Sequence, residues 1–173
     1  MTTGARGLGY TWDIIPGVVP VNLNTGANTG ERVHMKNYER CACVVFASIG
    51  TAASDLAVDL QEANAATGGT IHDLDITTKY YVKDALALTS SATWVEVSQS
   101  AASEIADTGG LGTSAEHSQI VVIEVDSSQL SDGYEWISLN VPTPGATKLG
   151  CVFYIMTGLK VQRAPGNLAN PNT

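Results

Sequence analysis

The sequence predicts an all-β protein, an antiparallel two-sheet sandwich or jelly roll of about eight strands. Short apolar or alternating segments recur along the chain, and residues typical of turns separate them. No segment has the 3.6-residue periodicity of an amphipathic helix. The 173 residues can bury one core, and a composition of 44% hydrophobic and 15% charged residues is typical of a globular chain.

We divide the chain into one domain and two extensions. Residues 1–17 are rich in Gly and Thr with a few embedded apolar residues, which predicts an extended N-terminal arm. Residues 18–162 contain all the predicted strands and form the β-sandwich domain. Residues 163–173, RAPGNLANPNT, form a C-terminal tail with one large apolar side chain, Leu168.

The first strands are predicted between residues 18 and 64. The segment Val18–Leu23 is a short strand, and Pro20 restricts it to a sheet edge because proline cannot donate a ladder hydrogen bond. The segment Asn37–Asn64 predicts two strands with the turn Gly50–Ser54 between them, and we expect the two strands to be partners. The first, around Cys41–Ala47, is apolar on both faces, whereas the second alternates between apolar and polar residues.

The rest of the chain continues the β pattern. The segment Asp84–Ser91 is ambiguous between a strand and a short helical turn, and Ala101–Ser114 is a polar, Gly-rich loop. The further predicted strands lie within these ranges: Ile71–Val82, Thr93–Ser100, Ile120–Val125, Tyr134–Val141 and Leu149–Met156.

Three of the predicted strands, Cys41–Ala47, Ile120–Val125 and Leu149–Met156, are apolar on both faces. In a sandwich one face of every strand points outward, and monomers rarely leave more than a few hundred Å² of apolar surface in contiguous contact with water. We therefore expect a partner to cover that face, which makes the protein an obligate oligomer. The alternative is that the arm and the loop Ala101–Ser114 of the same chain cover it.

Strand alternation alone does not tell which face of each strand points outward. We predict that copies of the chain associate through the side chains on one face of each of the three apolar strands. The predicted residues are Val44, Phe46, Val121, Ile123, Val152, Tyr154 and Met156.

Charge and composition argue against several classes of partner. The formal net charge is −8, and only nine Lys and Arg residues are scattered along the chain, so the sequence predicts no nucleic-acid binding. No apolar run approaches the roughly 18 residues of a membrane helix, and the N-terminus lacks a signal-peptide core. We expect no membrane partner, and we expect synthesis in a cytoplasm.

The three cysteines predict no disulfide framework, because their number is odd and Cys41 and Cys43 lie two residues apart on one strand face. With Cys151 they are also too few for a structural zinc site. We expect buried thiols that pack as small apolar side chains.

No catalytic motif is present, so we expect neither enzyme activity nor a cofactor. The segment GARGLG follows no strand and opens no helix, as a dinucleotide loop would. His72, Asp73 and Asp75 have a spacing that could hold a metal ion, but a polar strand edge is the simpler interpretation. We interpret His34 and His117 as surface residues.

Four aromatic residues raise the possibility of carbohydrate binding, since aromatic rings on a sandwich face can stack on sugars. They are Trp94, Trp136, Tyr80 and Tyr81. We favour core packing for them, because the chain has few other aromatic residues to fill a core.

Three segments carry a resemblance to a known family: residues 18–64 (VVPVNLNTGANTGERVHMKNYERCACVVFASIGTAASDLAVDLQEAN), 116–130 (EHSQIVVIEVDSSQL) and 149–166 (LGCVFYIMTGLKVQRAPG). In general pattern they resemble the head decoration, or capsid cement, proteins of tailed double-stranded DNA bacteriophages. The resemblance implies a virion structural protein on the outer surface of the capsid, made in the bacterial cytoplasm. It implies two partners, the major capsid protein and other copies of the chain. Members of the family differ in fold and symmetry, so the resemblance does not set the number of copies. We favour a trimer over a dimer as our own expectation.

If the resemblance holds, the N-terminal arm is the element that reaches the capsid. Its predicted contact residues are Tyr10, Trp12, Ile14 and Ile15. Two other classes stay open: a head-fibre, tail or connector protein of the same particle, and a carbohydrate-binding β-sandwich module.

Overall fold

The protein is an all-β sandwich of two antiparallel sheets, which confirms the predicted fold class. A computed structural model describes residues 7–84, 92–109 and 114–172. Eleven strands lie in this part of the chain: β1 (Trp12–Asn22), β2 (Val33–His34), β3 (Arg40–Ala47), β4 (Val58–Ala63), β5 (Ile71–Asp73), β6 (Thr77–Asp84), β7 (Val95–Ala102), β8 (Glu104–Ile105), β9 (Gln119–Asp126), β10 (Trp136–Asn140) and β11 (Leu149–Thr157). Four single-turn 3-10 helices join them: Leu23–Thr25, Met35–Asn37, Ser127–Gln129 and Pro165–Asn167.

The larger sheet has six strands in the order β1-β11-β3-β9-β6-β7. The smaller sheet has the order β2-β10-β4-β5, and β8 pairs with the other end of β4. The segment Asp84–Ser91, ambiguous in sequence, lies outside the described residues beyond Asp84, which ends β6.

The first strand begins earlier than the sequence predicts. It starts at Trp12, which pairs with Thr157 of β11, so residues 12–17 belong to the sheet and not to an extended arm. The predicted edge position is confirmed, because β1 is the outermost strand and carries Pro16 and Pro20. The predicted boundary between arm and domain at residue 17 is therefore wrong. The composition of residues 12–17 does not show that their backbone pairs with β11.

The two strands predicted within Asn37–Asn64 form, but they are not partners. β3 pairs with β11 and β9 in the larger sheet, whereas β4 pairs with β10 in the smaller one. The connection over residues 48–57 crosses from one sheet to the other. The outward-facing residues of β3 are mostly apolar and those of β4 are polar, because the two strands belong to different sheets.

The core lies between the sheets, and Tyr154 of β11 ties them together. Its side chain is fully buried, and its hydroxyl accepts a hydrogen bond from Leu139 N of β10 (3.0 Å) and donates one to Glu31 O (3.1 Å). Burial raises the pKa of this hydroxyl well above its ordinary value. Gly30 packs directly against this link, because a Cβ there would collide with Leu139 O and with the Tyr154 hydroxyl.

No helix in the described part of the chain is long and apolar enough to cross a membrane.

Candidate interaction surface

The three strands that are apolar on both faces are neighbours in the fold. β11, β3 and β9 lie side by side in the larger sheet, with β1 on one flank and β6 on the other. Their inward side chains fill the core, and their outward side chains form one continuous surface. We call this surface, on the side of the larger sheet away from the core, the outer apolar face.

The strand register arranges the outer apolar face in cross-strand rows. The central row runs across five strands and is apolar up to Tyr81: Pro16, Phe153, Val44, Val122 and Tyr81. The row toward one end contains Cys151, Phe46, Ile120 and Lys83, and the row toward the other contains Ile14, Ile155, Ala42 and Glu124. Paired side chains on one sheet face lie within contact distance of one another.

The accessibility of these residues shows how much of the face is open. Phe46 and Ile14 are each 48% exposed, and Leu149 at the end of β11 is more exposed still. Val44 is buried between its neighbours Phe153 and Val122 although it points outward. A depression of about 580 Å³ opens beside Phe46 and Leu149, with Pro20 and Cys151 among its lining residues.

Five of the predicted self-association residues point the other way. Val121, Ile123, Val152, Tyr154 and Met156 are almost completely buried in the core between the sheets. A folded chain cannot present them to a second copy, so this part of the prediction is corrected. Only Val44 and Phe46 lie on the outward face.

One residue in the sequence marks the outward face. Glu124 is the only charged side chain within the run Ile120–Val125, and it alternates in phase with Ile120 and Val122. A charge placed in that phase identifies these residues as the outward set, and strand pairing then extends the assignment to Phe153 and Ile155.

The chain's own described loops do not cover the outer apolar face. Within Ala101–Ser114, residues to Ala102 belong to β7, Glu104–Ile105 form β8, and Ile105 is buried in the core through pairing with β4 of the opposite sheet. The N-terminal segment from Trp12 is an edge strand that lies beside the face instead of over it. Self-coverage therefore fails for these segments wherever the structure describes them.

The four predicted capsid-contact residues separate into two groups. Trp12 and Ile14 are exposed on the outer side of β1, and Tyr10 is half-buried. Ile15 is only 4% exposed and packs in the core. The prediction that Ile15 contacts a capsid is corrected, because it faces the opposite side of the strand from Ile14.

A groove of about 550 Å³ runs between β1 and the C-terminal tail. It is lined on one side by Leu8, Trp12 and Ile14, and on the other by Pro165 and Leu168. Backbone hydrogen bonds hold the tail at both ends, from Arg163 N to Gly9 O (2.9 Å) and from His34 N to Pro171 O (3.0 Å). The tail therefore forms a fixed wall of the groove.

A buried polar contact anchors β1 beneath this groove. The Tyr38 hydroxyl donates a hydrogen bond to Asp13 Oδ2 (3.0 Å), and Asp13 Oδ1 accepts one from Ile14 N (2.9 Å). Burial, with the hydrogen bond to Asp13, raises the pKa of Tyr38 well above its ordinary value. The contact fixes which way Ile14 and Ile15 point.

The outward side of the smaller sheet differs in chemistry, and we call it the outer polar face. Asn140 Nδ2 donates to Gln61 Oε1 (2.7 Å), and Gln61 Nε2 donates to Asp73 Oδ1 (3.2 Å). The carboxyl group of Asp59 lies near the charges of Asp73 and Glu104. Desolvation, followed by repulsion from these two carboxylates, raises its pKa despite hydrogen bonds from Ser103 and Asn140.

The aromatic residues considered for carbohydrate binding do not form one platform. Tyr80 is a core residue, and Trp136 is only 7% exposed. The ring of His34 stacks on Trp136 with centroids 4.3 Å apart and an interplanar angle of 6°. Trp94 lies at the far side of the larger sheet, with Lys83 Nζ 5.7 Å from its ring centroid. The core packing that we favoured is thus found for Tyr80 and Trp136.

The three histidines have partners that the sequence does not reveal. His34 Nε2 lies 3.0 Å from Glu135 Oε2, and His117 Nδ1 lies 2.8 Å from Asp84 Oδ2. His72 stacks on Tyr134 with centroids 4.7 Å apart. Within the described ranges, no three His, Cys, Asp or Glu residues are grouped so that they could hold a metal ion.

The thiols and one lysine complete the set of chemically notable groups. Cys41 and Cys43 are buried, as predicted, with sulfur atoms 3.8 Å apart, and burial raises the pKa of the Cys41 thiol. Cys151 is half-buried on the outer apolar face. Lys148 is fully buried, and its Nζ donates to the carbonyls of Ser114 (2.7 Å), Ala115 (3.2 Å) and His117 (3.3 Å), so it fixes that loop to the sandwich.

Comparison with models of known protein families finds no match for this sequence, and a search of curated proteins finds none either.

Proposed function

We propose that the protein is a virion structural protein that decorates the outside of a tailed-phage capsid and stabilises contacts between major capsid subunits. The outer apolar face is the observation that carries the proposal. An apolar face that the rest of the described chain leaves uncovered is expected of a subunit that works inside an assembly, and a protein that stabilises a shell works in this way. The resemblance of residues 18–64, 116–130 and 149–166 to decoration proteins supports the same role.

We assign the capsid contact to the groove along β1. Trp12 and Ile14 are exposed there, and the fixed tail supplies Leu168 as the opposite wall. In this proposal a segment of the major capsid protein packs into the groove. The protein is made in the bacterial cytoplasm and joins the outer surface of the head, and the role requires neither catalytic residues nor a cofactor.

Electron cryomicroscopy of virions purified from a phage that encodes this chain tests the role. We expect density for the sandwich over the outside of the head, with β1 and the tail against capsid subunits. Density at one vertex or along the tail would instead identify a connector, fibre or tail protein. Absence of the chain from purified particles would overturn the proposal.

A binding experiment tests the groove. Leu8→Glu places a charge in the groove, at an exposed side chain outside the rows of the outer apolar face, and we expect it to abolish binding to capsids that lack the protein. Ile71→Glu is the matched control, because Ile71 is 47% exposed on the opposite sheet. Equal binding by the two variants would contradict the assignment of the groove.

A further inference from the structure

We infer that two copies of this chain pack face to face through their outer apolar faces, related by a twofold axis. The inference goes beyond the proposed function, because it concerns the free protein and holds whether or not the pair then binds a capsid. For this surface it replaces the trimer that we favoured from the sequence.

The size of the face matches what a stable pair requires. With the polar strand β7 included as part of the rim, six strands about 4.8 Å apart and about seven residues long at 3.3 Å per residue give a plan about 29 Å wide and 23 Å high. This plan, near 670 Å² before the relief of the side chains is added, is close to the roughly 800 Å² per partner of a standard interface.

The centre of the face has the chemistry of an interface core. The middle row contains Pro16, Phe153, Val44 and Val122 with no charge among them, and Phe46 lies in the adjacent row. Charged residues are depleted from the centres of interfaces, whereas aromatic residues are enriched. Phe46, which is exposed beside the middle row, is the best candidate for the residue that contributes most to binding.

The charges at the border of the face favour a second copy over other occupants. The strand residues that carry them are three bases and three acids: Arg40, Lys79, Lys83, Glu96, Glu124 and Asp126. Their sum is zero, although the chain as a whole carries −8. Two copies therefore repel each other through most of their surface but not through this one.

Four of these six border charges already form ion pairs within one chain, before any contact with a second copy. Arg40 Nε lies 3.4 Å from Asp126 Oδ2, and Lys79 Nζ lies 2.7 Å from Glu96 Oε1. Glu124 and Lys83 are outside these two pairs, so each face offers one acid and one base of its own to the identical face opposite. A patch that meets itself across a twofold axis must be complementary to itself, and equal numbers of both signs provide this.

The outer polar face is excluded as the site of the pair by the same reasoning. Its strands carry Asp59, Asp73 and Glu104 and no Lys or Arg, so two such faces would repel each other. Its amide side chains also bond to their own neighbours. The polar face therefore stays in water.

Sedimentation equilibrium of the full chain at micromolar concentration tests the inference. We expect a dimer for the native sequence and for Ile71→Glu, and a dissociation constant raised about tenfold or more for Phe46→Glu. The two sites are nearly equally exposed, 48% and 47%, so neither substitution places a charge in the core. A native chain that sediments as a monomer, or a Phe46→Glu variant that dimerises as tightly as the control, would overturn the inference.

Lys83→Glu supplies a second variant that leaves every apolar residue of the face in place. It changes the charge of the face from zero to −2, and we expect weaker dimerisation at low salt that recovers as salt screens the repulsion. A dissociation constant unchanged at low salt would contradict the twofold contact. A chain that dimerises but does not bind capsids retains this inference and refutes the proposed function, whereas a monomer that binds capsids does the reverse.

Discussion

The two outward faces of the sandwich enclose the same core but carry different kinds of side chain. On the outer polar face, Asn140, Gln61 and Asp73 bond to one another in a line. On the outer apolar face, Phe46 and Ile14 are half exposed and have no polar role. Because both sheets bury their inner faces equally well, the difference does not serve the fold. This difference is the basis of our proposal that one face meets water and the other meets protein.

The largest expected effect is a difference in stability between substitutions on the two sides of β1. Ile15→Ala removes atoms from the core between the sheets and should lower the free energy of unfolding by about 2–5 kcal/mol. Ile14→Ala, one residue away on the outer side, should change it by about 0.5 kcal/mol or less. Urea unfolding of both variants measures the difference, and equal losses would show that the strand's faces are assigned wrongly.

The next effect concerns the link between the sheets. Tyr154→Phe keeps the ring but removes the hydroxyl, so Leu139 N and Glu31 O both lose their partner in the core. We expect a loss of about 1–3 kcal/mol in the free energy of unfolding, because a buried polar group left unpaired costs its desolvation. Phe153→Leu, on the outer side of the same strand, is the comparison and should leave stability almost unchanged. If Tyr154→Phe were equally neutral, the hydroxyl would not link the sheets.

A smaller effect tests whether the outer polar face is satisfied by its own bonds. Asn140 accepts a hydrogen bond from Gly30 N (3.0 Å) as well as donating to Gln61. Asn140→Ala should lower stability by about 1 kcal/mol, the net worth of such bonds. Dimerisation measured by sedimentation should not change, and a weakened dimer would mean that this face also takes part in assembly.

The smallest effect is a pH dependence of opposite sign on the two faces. Because the pKa of Asp59 is raised in the folded state, its ionisation destabilises the fold as pH rises above the ordinary aspartate value. Hydrogen bonds from Ser128, followed by Arg40, lower the pKa of Asp126, so its contribution is present above the ordinary value and is lost as pH falls. At neutral pH, Asp59→Asn should stabilise the protein and Asp126→Asn should destabilise it.

Urea midpoints measured from acidic to neutral pH check both variants. Each difference from the native chain should shrink toward acidic pH, where both carboxyl groups are protonated. Shifts of the same sign for the two variants would refute the electrostatic contrast between the faces.

Sequence patterns were sufficient for the fold class and for most strands, because alternation and turn residues are local. They placed Cys41–Ala47, Ile120–Val125 and Leu149–Met156 correctly as strands apolar on both faces. They could not reveal that these three become neighbours, since adjacency in a sheet depends on pairing across more than 100 residues, as between β3 and β11. They also supported a pairing of β3 with β4 that the crossover between sheets prevents.

The direction of the side chains was the other failure. Val121 and Val122 are equally apolar, and nothing in either residue tells which one is inside. The phase of Glu124 contains that information, but only for β9, and the register carries it to β3 and β11. The same limit explains Ile15, which sequence composition does not distinguish from Ile14.

The reactivity of Cys151 tests most directly that the outer apolar face is covered by protein. It is the one thiol outside the core, and because burial raises its pKa, labelling is best done at mildly alkaline pH. We predict that a thiol reagent modifies Cys151 in dilute protein and that this reaction slows as concentration rises, while a control thiol introduced by Asp73→Cys on the polar face reacts at a constant rate. A Cys151 rate that is independent of concentration, in a protein that stays monomeric, would contradict the account.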